Sequence, residues 1–188
     1  IAHDLRTPLT IMRGRLVGLQ TGIFQLDDQL IAALLRQVGI VEELVGDLDL
    51  LTSSKTMIVQ PETTRIDQLV RHVVDAQGEE LRDGGIDVVI DTVPVMAMVD
   101  GNKLSRAISN LLDNTVRYAR GSRLHIQVLA EPGSICLRVA DYGPGWPEQD
   151  PAVLLDPFTR GETSRSRETG GAGLGLAIVH AIIMAHDG

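Results

Sequence analysis

Near the start of the chain, in "IAHDLRTPLT", a histidine adjoins an aspartate, a threonine follows the histidine by four positions and a proline by five. On a helix, Asp4 can hydrogen-bond one imidazole nitrogen of His3, fix the tautomer and leave the other nitrogen as a nucleophile at neutral pH. Thr7 shares the face of His3. Pro8 has no amide hydrogen and its ring clashes with the carbonyl of Asp4, so a bend close to the histidine is expected. On the heptad frame set by Leu5 and Leu9, Ala2 lies on the apolar seam and His3 just beside it. That placement favours an outward-facing group over a buried histidine with a purely structural role.

Three further stretches suit anions. In "SRAISNLLDNTVRYAR", Asn110, Asn114 and Arg117 recur after four and three residues along one side of a helix, with Leu104, Ile108, Leu111 and Thr115 on another. Two amides and a guanidinium facing one way suit a metal-phosphate group, an amide oxygen taking one place in a magnesium shell otherwise filled by water and phosphate. A merely solvated helix face would show the same spacing. In "ADYGPGW", Asp141 ends an apolar strand, and Gly143 and Gly145 let the backbone approach a ligand closely. A carboxylate there can accept a hydrogen bond from an amino-purine, although "DYGPG" alone also fits a plain turn. "TGGAGLGLAIVHAI" is a glycine-rich turn entering a helix, whose amides and positive end make an anion cradle. It is not a dinucleotide fingerprint, because with Gly171 and Gly173 as the first two glycines the third falls on Leu176. Nor is it a phosphate loop, because no Lys-Ser or Lys-Thr follows.

The elements that must position these groups fall into two parts. Leu5, Leu9, Met12, Leu16, Leu19 and Ile23 alternate four and three apart, the seam of one helix. Ile31, Leu34, Val38, Val41, Val45 and Leu48 form a second seam, widened by Leu30, Leu44 and Leu51, with Asp27 as N-cap. A helical hairpin has too little surface to bury both stripes alone, so a dimeric four-helix bundle is expected over residues 1–55, against the alternative of an antiparallel pair packed on the rest of the same chain. A polar linker is expected near residues 53–60, and then α+β alternation. A helix spans Ile66 to Leu81, strands follow at "IDVVID" and "VMAMVD", and a long helix runs from about Asn102 to Tyr118. An antiparallel strand pair, "RLHIQVLA" and "SICLRVAD", turns at "EPGS", and a helix from about Gly173 to Ala185 closes the chain. Alternation along the strands implies one buried sheet face covered by helices, a two-layer α/β sandwich over residues 56–188.

Composition narrows the functions. The 188 residues carry a formal net charge of -8, which argues against bulk attraction to nucleic acid. The single cysteine, Cys136, excludes an internal disulfide framework or a cysteine metal site. No apolar run reaches the roughly 18–20 residues that span a bilayer.

Taken in order, "HDLRTPL", "NLLDNTVRY", "DYGPG", "DPFTRG" and "GGAGLGLAIV" resemble the H, N, G1, F and G2 boxes of the two-component sensor histidine kinases. The resemblance implies a dimerisation and phosphoacceptor hairpin followed by an ATP-binding domain of the histidine kinase, Hsp90 and gyrase ATPase type, with ATP and Mg2+ as cofactors. It makes His3 the phosphoacceptor, Asp4 its orienting acid or base, and Thr7 the residue that places a water for dephosphorylating the partner. Asn114, with Asn110 beside it, would hold magnesium. Arg117 would approach phosphate and Tyr118 the nucleotide, and Asp141 would read the adenine amino group in a pocket shaped by Gly143 and Gly145. Phe158 would anchor a lid over about Arg160 to Gly170, and Gly171, Gly173, Leu174 and Gly175 would border the triphosphate.

Hydrolysing members of the same ATP fold, such as chaperones, gyrases and mismatch-repair proteins, carry a water-activating glutamate where Asn110 stands. An amide cannot take that proton, so ATP should be held without rapid hydrolysis until an imidazole arrives. Trp146 and Thr159 depart from the commoner aliphatic and aromatic residues of their boxes. The implied partners are a second copy of the chain and a response regulator receiver domain, not nucleic acid. The implied setting is the cytoplasmic portion of a bacterial inner-membrane sensor, truncated at both ends, with any membrane segment lying outside this chain. A catalytically silent dimeric scaffold or nucleotide-sensing module with the same fold is the other class the motifs allow.

Overall fold

In a computed structural model the described residues are 2–52, 57–145, 150–159 and 173–188, with side chains at all of these except 2–4, 43, 52 and 151. The chain divides into two compact units, Ile1–Ser53 and Ser54–Gly188.

The first unit is a helical hairpin of α1 (Ala2–Gln20) and α2 (Asp28–Thr52). Pro8 lies inside α1 and is buried. The expected seam reaches Ile23, but α1 stops at Gln20. Gly22 adopts φ +75° there, and the amides of Ile23 and Phe24 turn back to the Gly18 carbonyl at 2.8 and 3.0 Å, leaving Ile23 exposed. The Phe24 ring lies against Gly18, where a Cβ would come within 2.2 Å of it. Asp27 caps α2 as expected, accepting from the Leu30 amide at 2.7 Å. The seams split in burial. Leu5, Met12, Leu19, Leu34, Val41 and Leu48 are half-buried within the hairpin, while Leu9, Leu16, Ile31, Val38 and Val45 stay exposed in the single chain.

The second unit is α+β. Its elements are β1 (Glu62–Arg65), α3 (Ile66–Ala76), α4 (Gly78–Asp83), β2 (Asp87–Thr92), β3 (Met96–Val99), α5 (Gly101–Tyr118), β4 (Arg123–Glu131), β5 (Ser134–Asp141), a 3-10 turn (Pro151–Leu155) and α6 (Gly175–Ala185). The single helix expected from Ile66 to Leu81 is two helices, broken at Gln77, whose backbone leaves the helical region just before Gly78. β1 was not expected; it pairs antiparallel with β3. β2 and β3, neighbours in sequence, lie in different sheets, because β2 runs parallel to β4, a pairing that requires a long crossover, here β3 and α5. β4 and β5 form the expected antiparallel hairpin, turning at Gly133 with φ +83°.

Leu124, Ile126 and Val128 of β4 are fully buried against Val70 and Val73 of α3 and Leu104, Ile108 and Leu112 of α5. Helices thus cover one face of the three-stranded sheet, the two-layer arrangement that strand alternation requires. At the entrance to α3, Asp67 accepts both guanidinium nitrogens of Arg65 at 2.9 and 2.7 Å, and the Val95 amide donates to it at 3.3 Å. The Arg65 pair, helped by that amide, holds the Asp67 carboxyl at about 2.

Candidate functional site

α5 carries most of the candidate groups, and its start is built by Asp100. The Asp100 carboxylate accepts from the Lys103 amide at 3.1 Å, the Lys103 ammonium at 2.6 Å and the Gln60 amide at 3.1 Å. Burial opposes its charged form, but these donors outweigh burial and hold the carboxyl at about 2. Sequence reading passed over this residue, although an aspartate three positions before a lysine, at the head of a helix, is an N-cap signal. Leu104, Ile108, Leu112 and Thr115 are the buried stripe of α5. Leu112 takes the place expected for Leu111, which is only half-buried.

The opposite side of α5 presents the amides. Asn110 spends its Nδ2 on the Arg106 carbonyl at 3.0 Å, so its Oδ1 points away from the helix backbone. The first residue of α6 sits over both asparagines: a Cβ at Gly175 would lie 3.1 Å from Asn110 Oδ1 and 3.7 Å from Asn114 Nδ2. Leu174, at the N-cap position, is buried and makes no side-chain capping hydrogen bond. The start of α6, the end of a helix that favours anions, thus lies against the amides of α5, where a Cβ would press on Asn110 Oδ1. Arg117, one turn on, is half-buried, and Tyr118 is exposed.

Two glycine contacts shape the ends of this region. Gly143 follows β5 and is pressed against Ala119, the residue after α5; a Cβ there would come within 2.6 Å of the Ala119 Cβ. The Gly143 amide donates to Asp141 Oδ1 at 3.1 Å, orienting a carboxylate that is otherwise exposed. Gly145 has φ +72°. Beyond the 3-10 turn, Phe158 has φ 69°, unusual for a bulky residue, and its amide donates to the Gly173 carbonyl at 2.9 Å.

The structure thus brings together Asn110, Asn114 and Gly175, then Asp141 with Gly143, and Phe158 with Gly173. Thr7 is exposed on α1 in the first unit; His3 and Asp4 belong to the same helix, and their side chains lie outside the description. Gly171, Trp146 and the expected lid from Arg160 to Gly170 also lie outside the described residues. Among the described residues no group of three or more His, Cys, Asp or Glu forms a metal cluster. A cavity of about 450 Å3 bounded by Glu62, Thr64, His72, Asn102, Ser105 and Ser109 contains none of the candidate residues.

Residues 99–188 match the family model described as Histidine kinase-, DNA gyrase B-, and HSP90-like ATPase. The chain is 33% identical over 194 residues to the signal transduction histidine-protein kinase BaeS of Escherichia coli (strain K12), covering 100% of this chain and 41% of that protein. It is 32% identical over 196 residues to the signal transduction histidine-protein kinase/phosphatase MprB of Mycolicibacterium paratuberculosis, covering 99% and 37%. The solved structure of the Acinetobacter baumannii histidine kinase AdeS matches with a TM-score of 0.78 at 32% identity, over 98% of this chain and 87% of that one. The chain spans about two fifths of the length of the curated relatives it matches.

Proposed function

The chain belongs to the two-component sensor histidine kinases, and from that membership we propose that it is a kinase core: it binds ATP, phosphorylates itself on His3 and passes the phosphoryl group to an aspartate of a response regulator. The observation that carries the reading is the start of α6, where the N-cap residue Leu174 makes no capping bond and Gly175 lies over Asn110 and Asn114. The anion-favouring start of α6 beside the Asn110 amide oxygen, with the Asn114 amide next to it, fits a triphosphate and a hard divalent ion together.

In this reading Asn114, with Asn110 beside it, would hold magnesium. Bound there, the ion offsets phosphate charge. Arg117 approaches phosphate and Tyr118 the nucleotide, and Asp141, oriented by the Gly143 amide, accepts from the adenine amino group. Gly171, Gly173 and Leu174 border the triphosphate, and Phe158 anchors the segment that leads to them. The His3 nitrogen not held by Asp4 attacks the γ-phosphorus, the bond to the β–γ bridging oxygen breaks, and ADP leaves. The regulator's aspartate oxygen then displaces the imidazole. Thr7, one turn from His3, places a water for the reverse, dephosphorylating step.

The exposed half of the hairpin seams supports a homodimer through residues 1–55. No described helix is long and apolar enough to cross a membrane. We assign the chain to the cytoplasmic side of a bacterial inner-membrane sensor.

Incubation with γ-labelled ATP and magnesium tests the reading. Acid-labile label on the chain, lost in His3→Gln, is expected. Equal labelling of that variant counts against His3 as the acceptor, and nucleotide binding with no transfer at all counts for the silent module instead.

A further inference from the structure

α5 and α6 pack side by side in opposite directions and are tied at both ends. At one end Gly175 sits over Asn110 and Asn114. At the other, the Asp100 amide, immediately before α5, donates to Nε2 of His186 at 3.0 Å, and Nδ1 of the same ring lies 2.8 Å from the Ile182 carbonyl oxygen. The spans agree, because from Asp100 to the asparagines, and from Gly175 to His186, each helix advances about 15–20 Å.

These two contacts fix the chemistry of the ring. An amide N–H and a carbonyl oxygen are both satisfied by one imidazole only when Nε2 carries no proton and Nδ1 does, so the bridge requires the neutral Nδ1–H tautomer. Among the described residues, the charged groups near this corner are Asp100, just before α5, and Lys103 of α5, paired at 2.6 Å, Asp187, next in sequence to the ring, and Glu62 of β1, whose carboxylate lies 3.6 Å from a Cβ position at Gly101. The Asp100 carboxylate is occupied by Lys103 and by the Gln60 amide, the latter from the segment entering the second unit. A protonated ring would turn its Nε2 hydrogen toward the Asp100 amide hydrogen, donor against donor.

We infer that His186 is a positioning residue for the nucleotide phosphates: its neutral imidazole, bridging the end of α6 to the start of α5, holds α6 in the register that sets Gly175 over Asn110 and Asn114. Protonating the ring releases the far anchor of α6 and loosens the phosphate cradle, so nucleotide affinity falls once the ring carries its second proton. The inference rests on the nucleotide site proposed above and adds to it a residue about three helical turns from the phosphates.

ATP affinity is measured by calorimetry with magnesium at about pH 8 and about pH 5.5, which bracket the range in which histidines ordinarily titrate, for the unaltered chain, His186→Phe and His186→Asn. His186→Phe keeps a ring but makes neither bond. About a five- to tenfold loss of affinity at the higher pH is expected, together with a flatter response to acid. Because the nucleotide's own phosphates titrate equally in all three proteins, the difference between them isolates the ring. His186→Asn, whose amide can both accept and donate, recovers part of the affinity and is also flatter with pH.

Equal affinities and equal pH responses for the unaltered chain and His186→Phe overturn the inference and leave the nucleotide site standing. Absence of ATP binding in all three removes the site reading and the inference with it. Nitrogen NMR of the His186 ring needs no nucleotide: the Nδ1–H tautomer is expected at neutral pH, and an Nε2–H tautomer overturns the bridge.

Discussion

Asp100→Asn separates the charge of the α5 cap from its shape. Asparagine caps helices as well as aspartate does, so one carbonyl oxygen still serves the amide donors, and what disappears is the negative charge facing Lys103. Asp100 is only 5% exposed. A carboxyl held at about 2 in the fold, against 3.8 outside it, is worth at most about 2.5 kcal/mol. The Lys103 side chain is 23% exposed, and water around it reduces the expected figure to about 1–2 kcal/mol. The sign follows from the direction of the displacement. A depressed carboxylate stabilises fully above 3.8, and that stability drains away as pH falls toward 2.

Urea unfolding is followed by circular dichroism from about pH 7, where the carboxyl is ionised folded and unfolded, to about pH 2.5, where the unfolded one is protonated and the folded one still mostly ionised. At neutral pH the variant unfolds at lower urea, by the equivalent of about 1–2 kcal/mol, and the gap narrows to roughly a third of that at about pH 2.5. Asp67, also held at about 2, titrates in both proteins and cancels in the difference. A gap that stays constant across the range, or none at neutral pH, refutes the assignment of stabilising charge to Asp100.

Gly175→Ala places a methyl 3.1 Å from Asn110 Oδ1. Because alanine favours a helix, stability should change by less than about 1 kcal/mol, while ATP affinity drops about tenfold, the equivalent of about 1.4 kcal/mol. Calorimetry with a parallel thermal melt checks both, and unchanged affinity argues against the cradle. Leu16→Glu combined with Val38→Glu puts charge on seam positions that are 54% and 40% exposed in the single chain. The double variant should be monomeric in a light-scattering concentration series; an unaltered chain that is already a strict monomer at high concentration rules out the bundle.

Features of the fold with local causes were legible in the sequence. Asp27 is a capping residue before an apolar-periodic helix, and the β4–β5 hairpin follows from two alternating runs around a glycine turn. Features that depend on distant partners were not. β1 is four residues of "ETTR" with no apolar alternation, and it exists because β3 offers a ladder. β2 and β3 read as adjacent strands, yet nothing local says that one joins β4 and the other β1. The Leu111 and Leu112 exchange has the same origin, since both positions fit a helical stripe and only the packing of α5 on β4 selects between them. At the site, the amides and glycines were visible by type and spacing, but their meeting across some sixty residues of chain was not. His186 carried no signal, because its role is set by an amide 86 positions away.

The bond between the Phe158 amide and the Gly173 carbonyl means that the chain leaves and re-enters this region at one point. The two residues that make this junction tolerate little substitution: Gly173 adopts φ +69° with no room for a Cβ beside Thr159, and Phe158 holds the matching left-handed conformation, so both sides of the junction depend on backbone shapes that few residues adopt.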